Sequence, residues 1–340
     1  MNDFPQLLRG VLAGRDLSAT DAARAIGAIM DETLSDVRAA ALLAALAAKG
    51  ETVDEVIGAA QAMRERSVRV IHDLPLVLDV CGTGGDGAQT INVSTAVAFV
   101  VAGTGVPVAK HGNRAASSLC GSADVLEALG IALDREPTDS ARLLRDHHIA
   151  FLFAQRHHPA MRAVGPIRRD LGVRTIFNVL GPLTNPAGAN RQVVGVAQER
   201  HIELVAQALR GLGGTAGAVV HGQNGIDEIA GDGPTLVVQF DRVGMRRWTL
   251  DPAAYGVHAT LAELHGGDAA FNAQALSAIL NGERSPRADL VCLNAALALV
   301  VAGEAVDVSD GLARARASIE RGAARAALDA LRESSQREYA

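Results

Sequence analysis

At 340 residues the chain exceeds a typical single domain, so it has room for two domains, or for one with a helical appendage, and for a core that needs no staples. Apolar residues make up 49% and charged residues 21%, an ordinary globular balance, but aromatics are only 3%; alanine, valine and leucine must do the packing, and single-stranded nucleic acid, whose bases stack on aromatic rings, is disfavoured. A formal net charge of -6 repels a phosphate backbone globally, so any anion has to be recruited by a local basic site.

Residues 1 to about 70 read as helix without strand. Ser35 stands where it would cap an alanine- and leucine-rich helix that stops at Gly50, and Thr52 with Glu55 forms a capping-box signature before Val56, Ile57 and Met63. Such a segment is either a small helical domain or a dimerisation surface. The stretch Met1–Arg15 lacks the basic-then-apolar layout of a secretory signal.

From Leu76 onward strand and helix alternate. Strands are predicted over Leu76–Val80, Val106–Ala109, Ile149–Ala154, Gln192–Ala197, Gly217–Val220 and Thr235–Phe240, with helices between them that include Ser94–Ala102, Ser122–Leu129 and His201–Leu212. That alternation predicts an α/β domain with a largely parallel sheet. Residues 251–333 return to helix, ending in a charged, alanine-rich helix over Ser309–Ser334. The apolar run Ala288–Gly303 is interrupted by Asp289 and Asn294 and is too short to span a bilayer, so it reads as a buried helix. Cys81, Cys120 and Cys292 contain no Cys-x-x-Cys pair, which suits reduced thiols in a cytoplasm.

The richest segment is Asp79–Thr95. Gly82, Gly84, Gly85 and Gly87 lie between a short apolar strand and a helix, so backbone amides can approach a bound group and the helix N-terminus adds partial positive charge. The spacing satisfies Gly-x-Gly-x-x-Gly, yet a dinucleotide fold expects an acidic residue about 20 positions on, to hold a ribose, whereas here the next strand runs into Lys110. Asp86 would repel a pyrophosphate unless a metal or a ribose hydroxyl intervened, and no Gly-Lys-Ser/Thr follows to make a P-loop. A glycine-rich connection that binds nothing is the plain alternative.

Thr90, Asn92, Ser94 and Thr95 crowd hydroxyl and amide groups at the helix start, either as caps or around a phosphate, with Ser94 able to offer oxygen to magnesium. A second loop-to-helix entry, Lys110–Ser118 followed by Gly121–Asp124, supplies two basic side chains and serines, unless it is only a solvated loop. Asp227-Glu228 at a strand exit suit a hard divalent cation bridging to phosphate, or a helix cap. Arg168, Arg169 and Arg174 include a bidentate partner for a carboxylate, with a solvated helix face the reading for at least two of them. His111 and the pair His157–His158 lack the spacing of a zinc site.

Taken together these segments resemble the anthranilate phosphoribosyltransferase family, of nucleoside-phosphorylase-like phosphoribosyltransferases. The resemblance rests on Gly82–Asp86, Asn92–Thr95, Lys110–Ser118, Gly121–Gly130, His158–Met161, Arg174–Asn178 with Gly181–Pro186, and Gly225–Glu228, and runs from the N-terminal helices to near the end. Ile91 stands where phenylalanine is common, and Ala115-Ala116 where serine-valine is common, which removes one hydroxyl.

The resemblance implies a small helical domain over 1–72, joined by about 157–178, and an α/β domain over 73–340 with a hinge between them. It implies transfer of the phosphoribosyl group of phosphoribosyl pyrophosphate to anthranilate, the second step of tryptophan biosynthesis from chorismate, in a cytoplasmic homodimer joined through the helical domain, with no nucleic-acid or membrane partner. Gly82, Thr83, Gly84, Gly85 and Asp86, then Thr90, Asn92, Val93, Ser94 and Thr95, would hold the donor. Lys110, His111, Gly112, Asn113, Arg114, Ala115, Ala116, Ser117, Ser118 and Ser122 would complete that site. Ser94, Asp227 and Glu228 would hold two magnesium ions; Asn113 and Arg168 would engage anthranilate, Arg168 through its carboxylate. Lys110 and Arg168 would carry catalysis by electrostatics and orientation, without a general base. A pyrimidine nucleoside phosphorylase and a non-catalytic nucleic-acid-binding paralogue are the rival readings.

Overall fold

The computed structural model describes residues 3–115 and 119–337, with side chains to residue 335. Four helices open the chain: α1 (Phe4–Leu12), α2 (Ala19–Met30), α3 (Asp36–Lys49) and α4 (Val53–Glu65). The Thr52/Glu55 capping box forms at α4, and Gly50 ends α3. Ser35 does stand at the N-cap of α3, but its side chain makes no capping bond.

Strands and helices then alternate as β1 (Leu78–Gly82), α5 (Val93–Ala102), β2 (Val108–Gly112), α6 (Ser122–Ala128), α7 (Pro137–His147) and β3 (Ile149–Phe153). Short α8 (Ala154–His157), α9 (Met161–Leu171) and one-turn α10 (Phe177–Leu180) lead to β4 (Arg191–Gly195), α11 (Ile202–Gly211) and β5 (Ala216–Gly222). The hairpin β6 (Thr235–Phe240) and β7 (Met245–Leu250) completes the sheet. The chain closes with α12 (Leu261–Leu264), α13 (Ala269–Leu280), α14 (Pro286–Ala302), α15 (Val308–Glu320) and α16 (Ala323–Arg337).

The seven strands lie in the order β3-β2-β1-β4-β5-β6-β7, with β3 to β5 mutually parallel and β6 and β7 antiparallel. The chain winds outward from β1 on one side and from β4 on the other. Their carboxyl ends are therefore neighbours, Gly82 opposite Gly195, and a crevice opens there as it does wherever strand order reverses in such a sheet.

Each face of the sheet carries its own apolar layer. On one, Val97, Phe99 and Val101 of α5 meet Leu293 and Leu297 of α14, which is apolar all round and buried along nearly its whole length. On the other, Val205 and Leu209 of α11 join Val56 of α4 and Leu42 of α3, so the helical body is seated on the sheet through α4 and α11. Val164 and Ile167 bury α9 in that same layer against α2 and α3.

Three expectations shift. The strands β1 and β2 run on to Gly82 and Gly112, past the ends that hydrophobicity suggests, because the last residues are small or polar while their backbone stays paired. β7 was absent from the predicted strands: its exposed Arg246 and Arg247 mask the alternation, as charges on an edge strand do. The helix predicted over Ser309–Ser334 is two helices, broken at Gly322, whose φ of 72° does not continue a right-handed helix.

Candidate active site

The loop after β1 turns on Gly84, Gly85 and Gly87, all at φ between 68° and 76°, where a side chain would be strained. Its amides face the two acids that follow β5. The N–H of Gly84 donates to Asp227 Oδ2 at 2.7 Å, and the N–H of Ser94, in the first turn of α5, donates to Glu228 Oε1 at 3.2 Å. Gly195 makes this approach possible, because any Cβ there would fall on the Asp227 carbonyl. Burial, then the neighbouring Asp86, pushes Asp227 up to about 7. Glu228 is pushed well above its ordinary value by burial and by Asp227 and Asp86, and its Oε2 is buried without a partner. Two carboxyls that resist ionising, with one bare oxygen beside a cavity of about 20 Å³, fit a divalent cation. Among the described residues no three His, Cys, Asp or Glu side chains cluster to hold a metal alone, so further ligands must come from Ser94, water or substrate oxygens.

Lys110 is buried at the end of β2, and its Nζ donates to Val80 O at 2.8 Å and Ser94 Oγ at 3.1 Å. Burial lowers its pKa, opposed by the wholly buried Asp79 carboxylate in β1. Asp79 in turn accepts from the His111 N–H at 3.1 Å and from Asn185 Nδ2 at 2.8 Å. Neither Asp79 nor Asn185 was singled out from sequence, although an aspartate inside the apolar run Leu78–Val80 is itself a signal that something must satisfy it.

His111 Nδ1 lies 3.2 Å from Gly181 O, and the His111 ring sits 5.1 Å from that of His158. Burial keeps His111 well below its usual range and lowers His158 to about 4, so both are neutral at pH 7. Each leaves a buried Nε2 without a partner, aimed at no protein group. In the sequence His158 belongs to a histidine pair with no metal spacing and opens the His158–Met161 segment of the resemblance, neither of which points to a pairing with His111.

The remaining predicted residues divide. Thr83 and Thr90 anchor the glycine loop: the N–H of Thr83 donates to Gly195 O at 2.9 Å, and Thr90 bridges to His265. Asn92 is the N-cap of α5 but does not cap it with its side chain; Nδ2 donates to Cys120 O at 3.1 Å and Oδ1 accepts from Asn272 at 2.9 Å. Val93 and Thr95 are buried, Thr95 Oγ1 without a partner. Gly112 stacks closely on Phe151 and Ser122, and Ser122 Oγ donates to Asn113 O at 3.3 Å. Arg114, expected among the donor's contacts, has its guanidinium engaged by Asp124 at 3.1 Å and by Glu127, over the Phe153 ring. The N–H of Ala115 also donates to Asp124, at 2.9 Å. Ala116, Ser117 and Ser118 lie outside the described residues.

Arg168 and Arg174 both turn inward and only Arg169 is exposed, against the expectation that two of the three face solvent. Arg174 lies across the glycine loop, with Nη1 3.4 Å from Gly85 O and its Nε and Nη2 buried without partners. The Arg168 guanidinium stands 5.9 Å over the Phe177 ring with no carboxylate partner among the described residues, and burial together with Arg174 disfavours its charge.

Residues 74–325 match the glycosyl transferase family a/b domain, and residues 5–67 match the glycosyl transferase family helical bundle domain. The anthranilate phosphoribosyltransferase of Rubrobacter xylanophilus is 48% identical over 326 residues, 95% of each chain. Among solved structures, the anthranilate phosphoribosyltransferase of Thermus thermophilus aligns at a TM-score of 0.90 and 42% identity, covering 95% of this chain and 97% of that one. The enzyme of that name from Saccharomyces cerevisiae, in complex with PRPP and Mg, aligns at 0.91 and 29% identity over 98% of both chains.

Proposed function

The chain belongs to the anthranilate phosphoribosyltransferase family, and from that premise we propose that it transfers the phosphoribosyl group of 5-phosphoribosyl 1-pyrophosphate to the amine of anthranilate, in the second step of tryptophan biosynthesis from chorismate. The observation that carries this reading is the Asp227–Glu228 pair, held against the glycine loop and the first turn of α5 with Glu228 Oε2 left bare. The yeast relative was solved with PRPP and Mg. Two magnesium ions, held by Ser94, Asp227 and Glu228, would neutralise charge that grows on the departing pyrophosphate.

The chain's own groups supply the rest. Lys110 has three donors and two protein acceptors, which leaves one N–H for the diphosphate. Arg168 would gain most from a carboxylate, because none answers its half-buried charge. An aromatic amine is neutral near pH 7, so its lone pair forms the new bond to the anomeric carbon as the carbon–oxygen bond to pyrophosphate breaks, and the surplus amine proton passes to solvent. His111 and His158, both neutral, offer nitrogen to orient that amine rather than to deprotonate it. Holding the two reactants in line can supply up to about 10 kcal/mol of the barrier.

The same reading includes a helical lobe of residues 1–72 with 157–178, hinged on the α/β lobe 73–340; the seating of α9 on α2 and α3 supports it. It includes a homodimer formed through that lobe. Cys81, Cys120 and Cys292 form no disulfide among the described residues, in keeping with a cytoplasmic enzyme.

Loss of anthranilate fluorescence, followed with and without the donor and magnesium, tests the activity. Consumption that needs both is expected. No consumption with both present overturns the reading, and phosphorolysis of thymidine instead would assign the chain to the rival class.

A further inference from the structure

Asn92 and Asn272 are 180 residues apart, yet their side-chain amides meet at the exit of the glycine loop. Asn272, on α13, is 2% exposed. Its Nδ2 donates to Asn92 Oδ1 at 2.9 Å while its Oδ1 accepts from the Gly267 N–H at 2.9 Å. Asn92 passes the connection on, because its Nδ2 donates to the carbonyl of Cys120 at 3.1 Å, one residue before the N-cap of α6.

An N-cap asparagine ordinarily folds its side chain back on its own helix. Asn92 does not. Its amide instead ties the end of the glycine loop to the chain entering α6, and Asn272 fixes the plane of that amide. An amide has two donors and two acceptor sites, so Asn92 keeps one N–H and one lone pair free for a ligand. The chain around Asn272 is itself clasped to the loop: the N–H of Ile91 donates to Leu264 O at 2.9 Å, and the N–H of Gly266 to Gln89 O at 2.8 Å. Arg287 holds this strap from behind, donating to Glu263 O at 2.6 Å and His265 O at 2.9 Å.

We propose that Asn272 is a positioning residue for the phosphoribosyl donor, acting through Asn92 to keep the glycine loop in register with the chain that enters α6 at Cys120. The inference rests on the function proposed above and extends it to a residue in the C-terminal helices that no loop motif contains. A buried hydrogen bond that orients a contacting group is worth roughly a factor of ten in binding.

Asn272→Asp keeps an acceptor for Gly267 but cannot donate to Asn92 Oδ1; Asn272→Ser removes the reach while adding no bulk. Both are compared with wild type, Asn92→Ala and the two double variants, by steady-state kinetics in both substrates and by thermal melting. The expected result is a KM for the donor raised about tenfold, with the KM for anthranilate within twofold and each variant folded. In the Asn92→Ala background the Asn272 substitutions should add less than twofold. Equal rises in both KM values, or full additivity in the double variants, would overturn the role of Asn272. A wild-type chain that transfers nothing would instead overturn the function on which it rests.

Discussion

Asp227 shows how much one residue has to reconcile. Its carboxyl is held near 7 rather than 3.8, chiefly by burial and then by Asp86, so the fold without a cation favours the protonated form. A carboxyl with a raised folded pKa contributes most to stability below 3.8 and loses that contribution as pH rises through 7. Protein stripped of divalent ions should accordingly melt lower at pH 8 than at pH 5.5, and magnesium should raise the melting temperature more at pH 8. Scanning fluorimetry with EDTA or magnesium across that range checks the sign. Asp227→Asn with Glu228→Gln should abolish most of this slope, keep the fold, and reduce turnover about 100-fold or more, as loss of a group facing developing charge does. Normal turnover of that double variant across a magnesium titration would remove these residues from the metal site. The acidic pair was readable in the sequence because it follows an apolar strand. Which oxygen stays bare, and that Gly195 clears the space for Asp227, depends on the β1–β4 pairing and could not be read there.

At the scale of elements, the junction of α3 and α4 rests on a single buried carboxylate. Glu55 accepts from the N–H of Leu17 at 2.9 Å and of Thr52 at 2.9 Å, and pairs with Lys49 at 3.0 Å. Glu55→Ala would strand two amides and leave Lys49, whose side chain is 8% exposed, with only the exposed Asp16 as a carboxylate partner beside the Gly50 carbonyl. A loss of about 3 kcal/mol is expected from urea denaturation. Glu55→Gln, which retains an acceptor, should cost less. The capping half of this arrangement was legible, since Thr52 and Glu55 are three residues apart; the reach to Leu17 was not. The same division runs along the chain. Helices such as α5 and α14, and the central strands, follow from apolar period. The carboxyl ends of β1 and β2 escape that reading because their last residues are small or polar where they face the crevice, and β7 escapes it because an edge strand shows arginines to water.

For the whole molecule the decisive fact is that the two sides of the crevice, which the proposed function assigns to donor and acceptor, come from different parts of the fold. The loop after β1, α5 and the acids after β5 form one side. The other is the return segment from His158 to Asn185, where Gly181 O meets His111 and Asn185 clasps Asp79. Arg64 of α4 joins this second side to the helical body. Its guanidinium donates to Leu183 O at 2.7 Å and to Leu212 O, just past α11, at 3.1 Å. Burial and the nearby Arg69 lower its pKa, so the fold keeps a costly charge there for the sake of those two carbonyls. Arg64→Ala should destabilise the protein by about 2 kcal/mol. It should also raise the KM for anthranilate several-fold while leaving the KM for the phosphoribosyl donor within twofold, because of the two sides of the crevice only the return segment loses a tether. Arg64→Lys, whose ammonium cannot span both carbonyls, should fall between. Denaturation curves and kinetics on the same preparations separate the two effects. If both KM values rise together, Arg64 supports the molecule as a whole and the two sides of the crevice are not mechanically distinct.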